Sequence, residues 1–286
     1  MLEFPEKLFI PMDKWIDNLM DWILVNTGGF FDAIGSVLLK ILIIIEKALL
    51  WVPWPVVLIF IGVLAWRTMG KWWHGVVMAG LIFTVGLFGY WDYAMTTLAI
   101  VVASVMVSLL IGFPTGILMA RSDRFQGILR PILDGMQTMP SFVYLIPAMM
   151  LFGLGKVPAV FATVIYAVPP IIRLTDVGIR GVPESVVEAA RSFGASDRQL
   201  LFDVQLPLAF PSIMVGVNQT TMMALAMVVI ASMIGARGLG LEVLKAINRI
   251  EIGHGFTAGI SIVFLAIVID RITNAFATKQ QKHLSL

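Results

Sequence analysis

Long apolar runs alternate with short charged segments along most of the chain. Seven stretches approach the ~20 mostly apolar residues that a helix needs to cross a bilayer. They are residues 48–66 (ALLWVPWPVVLIFIGVLAW), 73–90, 94–119, 136–154 (MQTMPSFVYLIPAMMLFGL), 157–172, 208–234 and 255–276. The pattern predicts an all-α polytopic membrane protein with about seven transmembrane helices. Residues 34–50 (IGSVLLKILIIIEKALL) are apolar too, but Lys40, Glu46 and Lys47 interrupt them. A charge at the centre of a span costs about 2.5–3.5 kcal/mol on insertion scales. At spacings of 6 and 7 these three charges are expected on one side of a helix, leaving a broad apolar face, so an amphipathic helix on the membrane surface is expected there rather than an eighth span.

The charges between the runs set an orientation. Arg67 and Lys71 follow the first run and only Asp92 the second; Arg121, Arg124 and Arg130 follow the third, and a lone Lys156 the fourth. Arg173, Arg180, Arg191 and Arg198 follow the fifth, and Arg271, Lys279 and Lys282 close the chain. Basic loops favour the cytoplasmic side, which places the N-terminus outside and the C-terminus inside. The loop 235–254 argues the other way through Arg237, Lys245 and Arg249, partly offset by Glu242 and Glu251.

Two patterns lie within the runs. Ser104, Ser108, Gly112 and Gly116 recur every four residues, a small-residue stripe of the kind that lets helix backbones approach closely in lipid. Pro114, Pro140, Pro147, Pro169 and Pro170 leave backbone groups that lipid cannot satisfy, so these breaks are expected to face protein or a water-filled path. All eight tryptophans fall in the first 91 residues, which reads as an interfacial belt on a peripheral scaffold.

Composition then removes function classes. The chain is 59% hydrophobic and 13% charged, with a mean hydropathy of +0.92, outside the range of soluble domains. With no cysteine there is no disulfide, thiolate metal site or cysteine nucleophile. A net charge of +2, dispersed among loops, gives nucleic acid nothing to bind. The first 33 residues lack the basic and apolar blocks of a cleavable signal, so the first span is expected to insert uncleaved. His74, His254 and His283 stand in no metal-ligand spacing, and there is no GxxxxGK[ST], HExxH or GxSxG. No metal or cofactor site and no enzyme activity are expected. The runs hold almost no ionisable residues apart from Asp270 and Arg271 near the end of the last, against an ion-coupled carrier.

One polar stretch stands out near the middle, VVEAARSFGASDRQLLFDVQLP, residues 186–207. Pro183 and Glu184 suit the start of a helix, with Val186, Val187, Ala190 and Phe193 on an apolar face and Glu184, Glu188 and Arg191 opposite, paired at helical spacing. Gly194 supplies a left-handed stop, Ser196 and Gln199 a capping box for a second short helix bearing Leu200, Leu201 and Phe202, and Pro207 its end. Spans on both sides and few basic residues argue against a DNA-binding helix-turn-helix, leaving a rigid cytoplasmic elbow that docks into another protein.

Glu188, Ala189, Ala190, Gly194, Val204, Leu206 and Pro207 reproduce the EAA---G---------I-LP pattern of ABC importer permeases, with valine for isoleucine. QTMPSFVYLIPAMMLFGLGKVPAV (137–160), YAVPPIIRLTDVGIRGVPES (166–185) and IASMIGARGLG (230–240) resemble permeases of the glycine betaine/proline (quaternary amine) uptake systems over roughly residues 50–276. The resemblance implies a type I importer fold, with an N-terminal extracytoplasmic or interfacial segment 1–47, scaffold helices 48–91, a permease core 92–276 containing the coupling loop 183–207, and a cytoplasmic tail 277–286. It further implies two copies of the chain in the inner or plasma membrane, with a separate cytoplasmic ATPase that binds ATP and Mg and receives Glu188, Ala189, Ala190, Gly194, Leu206 and Pro207. A separate extracytoplasmic binding protein would deliver the solute. Choline, carnitine or proline are alternative solutes, and the substrate-contacting residues are not indicated.

Overall fold

The computed structural model describes residues 10–284, with side chains through 277; residues 1–9 and 285–286, and the side chains of Lys279, Lys282 and His283, lie outside it. Every regular element among the described residues is helical. They are α1 (Met12–Trp51), α2 (Trp54–Met69), α3 (Trp72–Leu87), α4 (Trp91–Arg121), α5 (Asp123–Thr138), α6 (Leu145–Phe152), α7 (Lys156–Arg180), α8 (Glu184–Ser192), α9 (Asp197–Gln199), α10 (Leu206–Ser232), α11 (Leu239–Arg249) and α12 (Ile252–Leu284). A 3₁₀ turn, Ser141–Tyr144, precedes α6, and a π-helical segment, Leu200–Gln205, joins α9 to α10.

Among the described residues, four helices are long and apolar enough to cross a membrane: Trp91–Arg121, Lys156–Arg180, Asp197–Ser232 and Ile252–Ala277. They match the third, fifth, sixth and seventh runs. The first run is broken at Val52–Pro53, where α1 and α2 meet at a 100° bend, and the two helices together make at most a fifth span. Pro53 caps α2 and cannot continue α1. The second run is the 16-residue α3, about 24 Å long at 1.5 Å per residue and short of the hydrocarbon core. The fourth run is divided by Pro140 and the 3₁₀ turn, so only the 8-residue α6 remains.

Residues 34–50 belong to one 40-residue helix, α1. The expectation that Lys40, Glu46 and Lys47 share a side is corrected: six residues turn a helix by 600°, so Glu46 lies about 120° from Lys40. Glu46 faces inward, where its carboxylate takes the Lys156 ammonium at 2.6 Å with side chains 14% and 27% exposed, while Lys40 and Lys47 stay exposed.

The centre of the bundle is α7, gripped by α4 on one flank and α10 on the other. The stripe on α4 is what brings α7 close. All four of its residues are buried, and a Cβ added to Gly112 would stand 2.4 Å from Ile171 Cγ2, one on Gly116 2.6 Å from Thr175 Cβ. On the other flank, a Cβ on Gly178 would lie 2.9 Å from Ser212 Cβ. At Gly116 the Ile172 carbonyl oxygen would also stand 2.7 Å away, so a larger residue there must move backbone, and at the other two crossings the packed side chains must shift. Pro169 and Pro170 are buried inside α7 as expected, whereas Pro114 on α4 is exposed.

Candidate functional site

The elbow forms as a compact turn between α7 and α10. Pro183 caps α8, and Gly194 sits at φ +82°, the left-handed region where a Cβ is strained. The Gly194 N–H donates to Arg191 O at 2.9 Å and the Ala195 N–H to Ala190 O at 3.1 Å. This is the paired 5→2 and 6→1 bonding of a Schellman stop, in which the glycine must follow the 6→1 acceptor by four residues. The spacing from Ala190 to Gly194 therefore has a backbone cause.

The second half begins as expected. Ser196 Oγ accepts from the Gln199 N–H at 3.4 Å while Gln199 Oε1 accepts from the Ser196 N–H at 2.9 Å, a complete capping box. Leu200 and Leu201 are buried and anchor the elbow, and Phe202 is exposed.

Two expectations are corrected here. Pro207 does not end the second helix; the helical path runs without interruption from Asp197 to Ser232. Proline has no N–H and its ring clashes with the carbonyl four residues back. The π turn ahead of it, in which the Leu206 N–H donates five residues back to Leu201 O, absorbs both problems. The expected pairing of Glu184, Glu188 and Arg191 is also absent among the described residues, where the ion pairs lie elsewhere. Glu184 and Glu188, four apart, repel rather than pair, and all three side chains are exposed.

The apolar face of α8 is only partly covered, with Val187 and Ala190 half-buried. None of its residues is buried, Val186 is exposed, and Phe193 beside it is 94% exposed, more than any other large apolar side chain described. Glu188 and Ala189 are exposed on the same helix and Ala190 is half-buried, while Leu206 and Pro207 are half-buried at the root of α10. The structure brings Glu188, Ala189, Ala190 and Gly194 into one surface and sets Leu206 and Pro207 behind it as the hinge to the bundle.

Beside the elbow lies a polar network that hydropathy conceals. Asp176, 3% exposed on α7, accepts from Arg180 Nε at 2.9 Å and from Gln126 Nε2 of α5 at 2.8 Å. Arg180 also donates to Asp123 Oδ1 of α5 at 2.6 Å and to Met119 O of α4 at 2.9 Å. Arg173 pairs with Asp134 across the same two helices, α7 and α5. The fifth run stops at 172 because these charges lower its hydropathy, yet α7 continues to Arg180; the i,i+4 spacing of Asp176 and Arg180 was the available signal. No group of metal-ligating side chains forms among the described residues.

A bundle of membrane-length helices with an exposed elbow between two of them defines a polytopic membrane protein. The chain belongs to the family of binding-protein-dependent transport system inner membrane components, whose profile matches residues 112–283. It is 48% identical over 269 residues to the glycine betaine/proline betaine transport system permease protein ProW of Escherichia coli (strain K12), covering 94% of this chain and 76% of that one. It is 44% identical over 274 residues to the glycine betaine transport system permease protein OpuAB of Bacillus subtilis (strain 168), covering 95% and 96%. Among solved structures, an inward-facing MetNI methionine ABC transporter superposes with a TM-score of 0.60 at 20% identity, over 65% of this chain and 93% of that one. That likeness establishes the type I importer permease fold. The matched lengths take in the elbow, and α1 lies wholly outside the family profile.

Proposed function

We propose that the chain is the membrane subunit of an ATP-driven importer for glycine betaine or a closely related quaternary ammonium solute, working as two copies with a separate ATPase and an extracytoplasmic binding protein. The observation that carries the reading is the elbow, whose EAA pattern coincides with a Schellman-stopped helix presenting Phe193, Val186 and Glu188 outward. A rigid surface of this kind suits a groove in a partner: the apolar side chains supply burial, and Glu188 a charge with no partner among the described residues. Named relatives transporting glycine betaine support the solute class.

In this reading ATP and Mg belong to the ATPase chain. Its closure draws the two elbows together, and the elbows reorient the α4, α7 and α10 helices between inward- and outward-facing states. The basic residues at the elbow end, among them Arg180, Arg191 and Arg198, support placing that end in the cytoplasm and the N-terminus outside.

Labelled glycine betaine uptake into proteoliposomes tests the proposal. Uptake is expected to need the ATPase, the binding protein and ATP, to persist with a protonophore, and to vanish in Glu188→Lys. Uptake by the chain alone, collapsed by the protonophore, would overturn it. Competition by choline, carnitine and proline in the same assay decides among the solutes.

A further inference from the structure

The elbow is attached to the bundle at two places, and neither attachment is broad. On one side α7 ends at Arg180 and three residues, Gly181, Val182 and Pro183, lead into α8. On the other, the π turn leads into α10. Displacement imposed on α8 passes to α10 through the continuous helical path from Asp197, and it passes to α7 only as far as the end of α7 resists bending. Glycine crossings hold most of α7 against α4 and α10, at Gly112 and Gly116 on one flank and Gly178 on the other. Those crossings end at residue 178, just short of the connector.

The last turn of α7 is held instead by charge. Arg180 donates in three directions: to Asp176 on its own helix at 2.9 Å, to Asp123 on α5 at 2.6 Å and to the carbonyl of Met119, near the end of α4, at 2.9 Å. The second carboxylate oxygen of Asp176 takes Gln126 of α5 at 2.8 Å. Asp176 is 3% exposed, so its charge depends on these donors; a buried carboxylate left without partners is costly. An apolar cluster containing Met119, Leu133, Ile179 and the elbow residue Leu201 surrounds the network. Thus the fastening joins α4, α5 and α7 at the point where the elbow leaves the bundle.

We propose that Asp176 and Arg180 are positioning residues for energy coupling: they stiffen the end of α7 and bind the α4–α5 corner to it, so that movement of the elbow turns the core as one block. This rests on the elbow being the seat of the ATPase. Without the clamp, the share of elbow motion that should turn α7 is absorbed by bending across Gly181–Pro183, α10 moves without α7 and α4, and more ATP is hydrolysed per solute moved.

The test uses the complete transporter, two copies of the chain with ATPase and binding protein, in proteoliposomes, and reads ATP hydrolysed per glycine betaine imported. Asp176→Asn is expected to keep its ATPase attached and to raise that ratio about fivefold or more, the lower end of coupling between two sites. Arg180→Lys keeps the charge but loses the guanidinium fork, and is expected to raise the ratio without lowering the unfolding temperature of the complex. Asp123→Asn, at a side chain 89% exposed, is expected to do less than Asp176→Asn, because water screens that pair.

An unchanged ratio in Asp176→Asn overturns the proposal. If that variant does not assemble, an unchanged ratio in both Arg180→Lys and Gln126→Met overturns it equally. Loss of the ATPase from Asp176→Asn complexes would place the residue in the docking seat and would also sink the clamp. Glu188→Lys separates the two readings: if it neither detaches the ATPase nor stops uptake, the elbow assignment fails whatever Asp176 does.

Discussion

Phe193, at the C-terminal cap of α8, is 94% exposed. A side chain that touches almost nothing contributes almost nothing to folding, so Phe193→Ala is expected to leave thermal unfolding of the isolated subunit within about 0.5 kcal/mol of the parent. The same substitution is expected to weaken retention of the ATPase on an affinity column; equal retention would mean that the ring is not in the docking face. Gly194, at φ +82°, behaves oppositely. Gly194→Val puts a branched Cβ into the left-handed region at a cost of about 1–2 kcal/mol, unwinding the Schellman stop and lowering ATPase retention together with the helical order of residues 184–192, read by hydrogen exchange. A second titratable cluster lies on α11. Burial alone would push the Glu242 carboxyl up, but Lys245 at 2.8 Å and His254 at 3.1 Å hold it below the usual carboxylate value. His254 in turn meets Tyr90 at 3.0 Å, and Arg249 and Tyr93 act on Lys245 through space. A carboxyl depressed in the folded state stabilises above its unfolded pKa and stops doing so as the pH falls through the folded one. Amide protection of α11 is therefore expected to be constant near neutrality and to drop below about pH 4.3, and Glu242→Gln is expected to flatten that drop.

Among the elements, α1 and α7 show where hydropathy informs and where it misleads. The stripe on α4 was legible because small residues every four positions have one geometric use in a bundle, and the glycine crossings with α7 realise it. The elbow was legible because caps and stops act locally: Pro183, Gly194 and the Ser196–Gln199 box need nothing distant. The inward turn of Glu46 and the length of α7 were not, because each depends on a partner far along the chain. Glu46 is tolerable inside because Lys156, 110 residues away, and Thr96 of α4 both donate to it; Asp176 is tolerable because Gln126 and Arg180 do. A window average counts such charges as solvent-seeking and cannot see that they neutralise one another. Lys156 also sits at the positive end of α7, an unfavourable place for a cation that the Glu46 carboxylate offsets. Breaking this pair by Glu46→Ala is expected to destabilise the subunit by about 3 kcal/mol or more, whereas Glu46→Met with Lys156→Met is expected to recover most of that loss, since apolar replacement of both partners is often neutral. Thermal unfolding in one detergent checks both; equal loss in single and double variants would mean that the pair is not what holds α1.

For the whole molecule, the absence of cysteine is an experimental gift, because any thiol introduced is the only one. The path from Asp197 to Ser232 crosses the bundle once, so the elbow and the turn after α11 emerge at opposite ends. Phe193→Cys and Ile250→Cys, both at positions more than four-fifths exposed, are expected to react with an impermeant maleimide from opposite sides in sealed vesicles, Phe193→Cys from the cytoplasmic side. Labelling of both from one side would refute a single crossing, and labelling of Phe193→Cys from outside would invert the orientation drawn from the basic loops.

The π turn at Leu200–Gln205 carries one surplus residue in an otherwise continuous helix. In mechanical terms it is a clocking spline: it sets the angle at which the head, the elbow, is mounted on the shaft, α10. Removing one residue from it, Phe202 for instance, would restore regular winding, rotate the head by about 100° against the shaft and return the Pro207 ring to the carbonyl four residues back that the π turn now spares it. An importer so altered would have every component present and facing the wrong way.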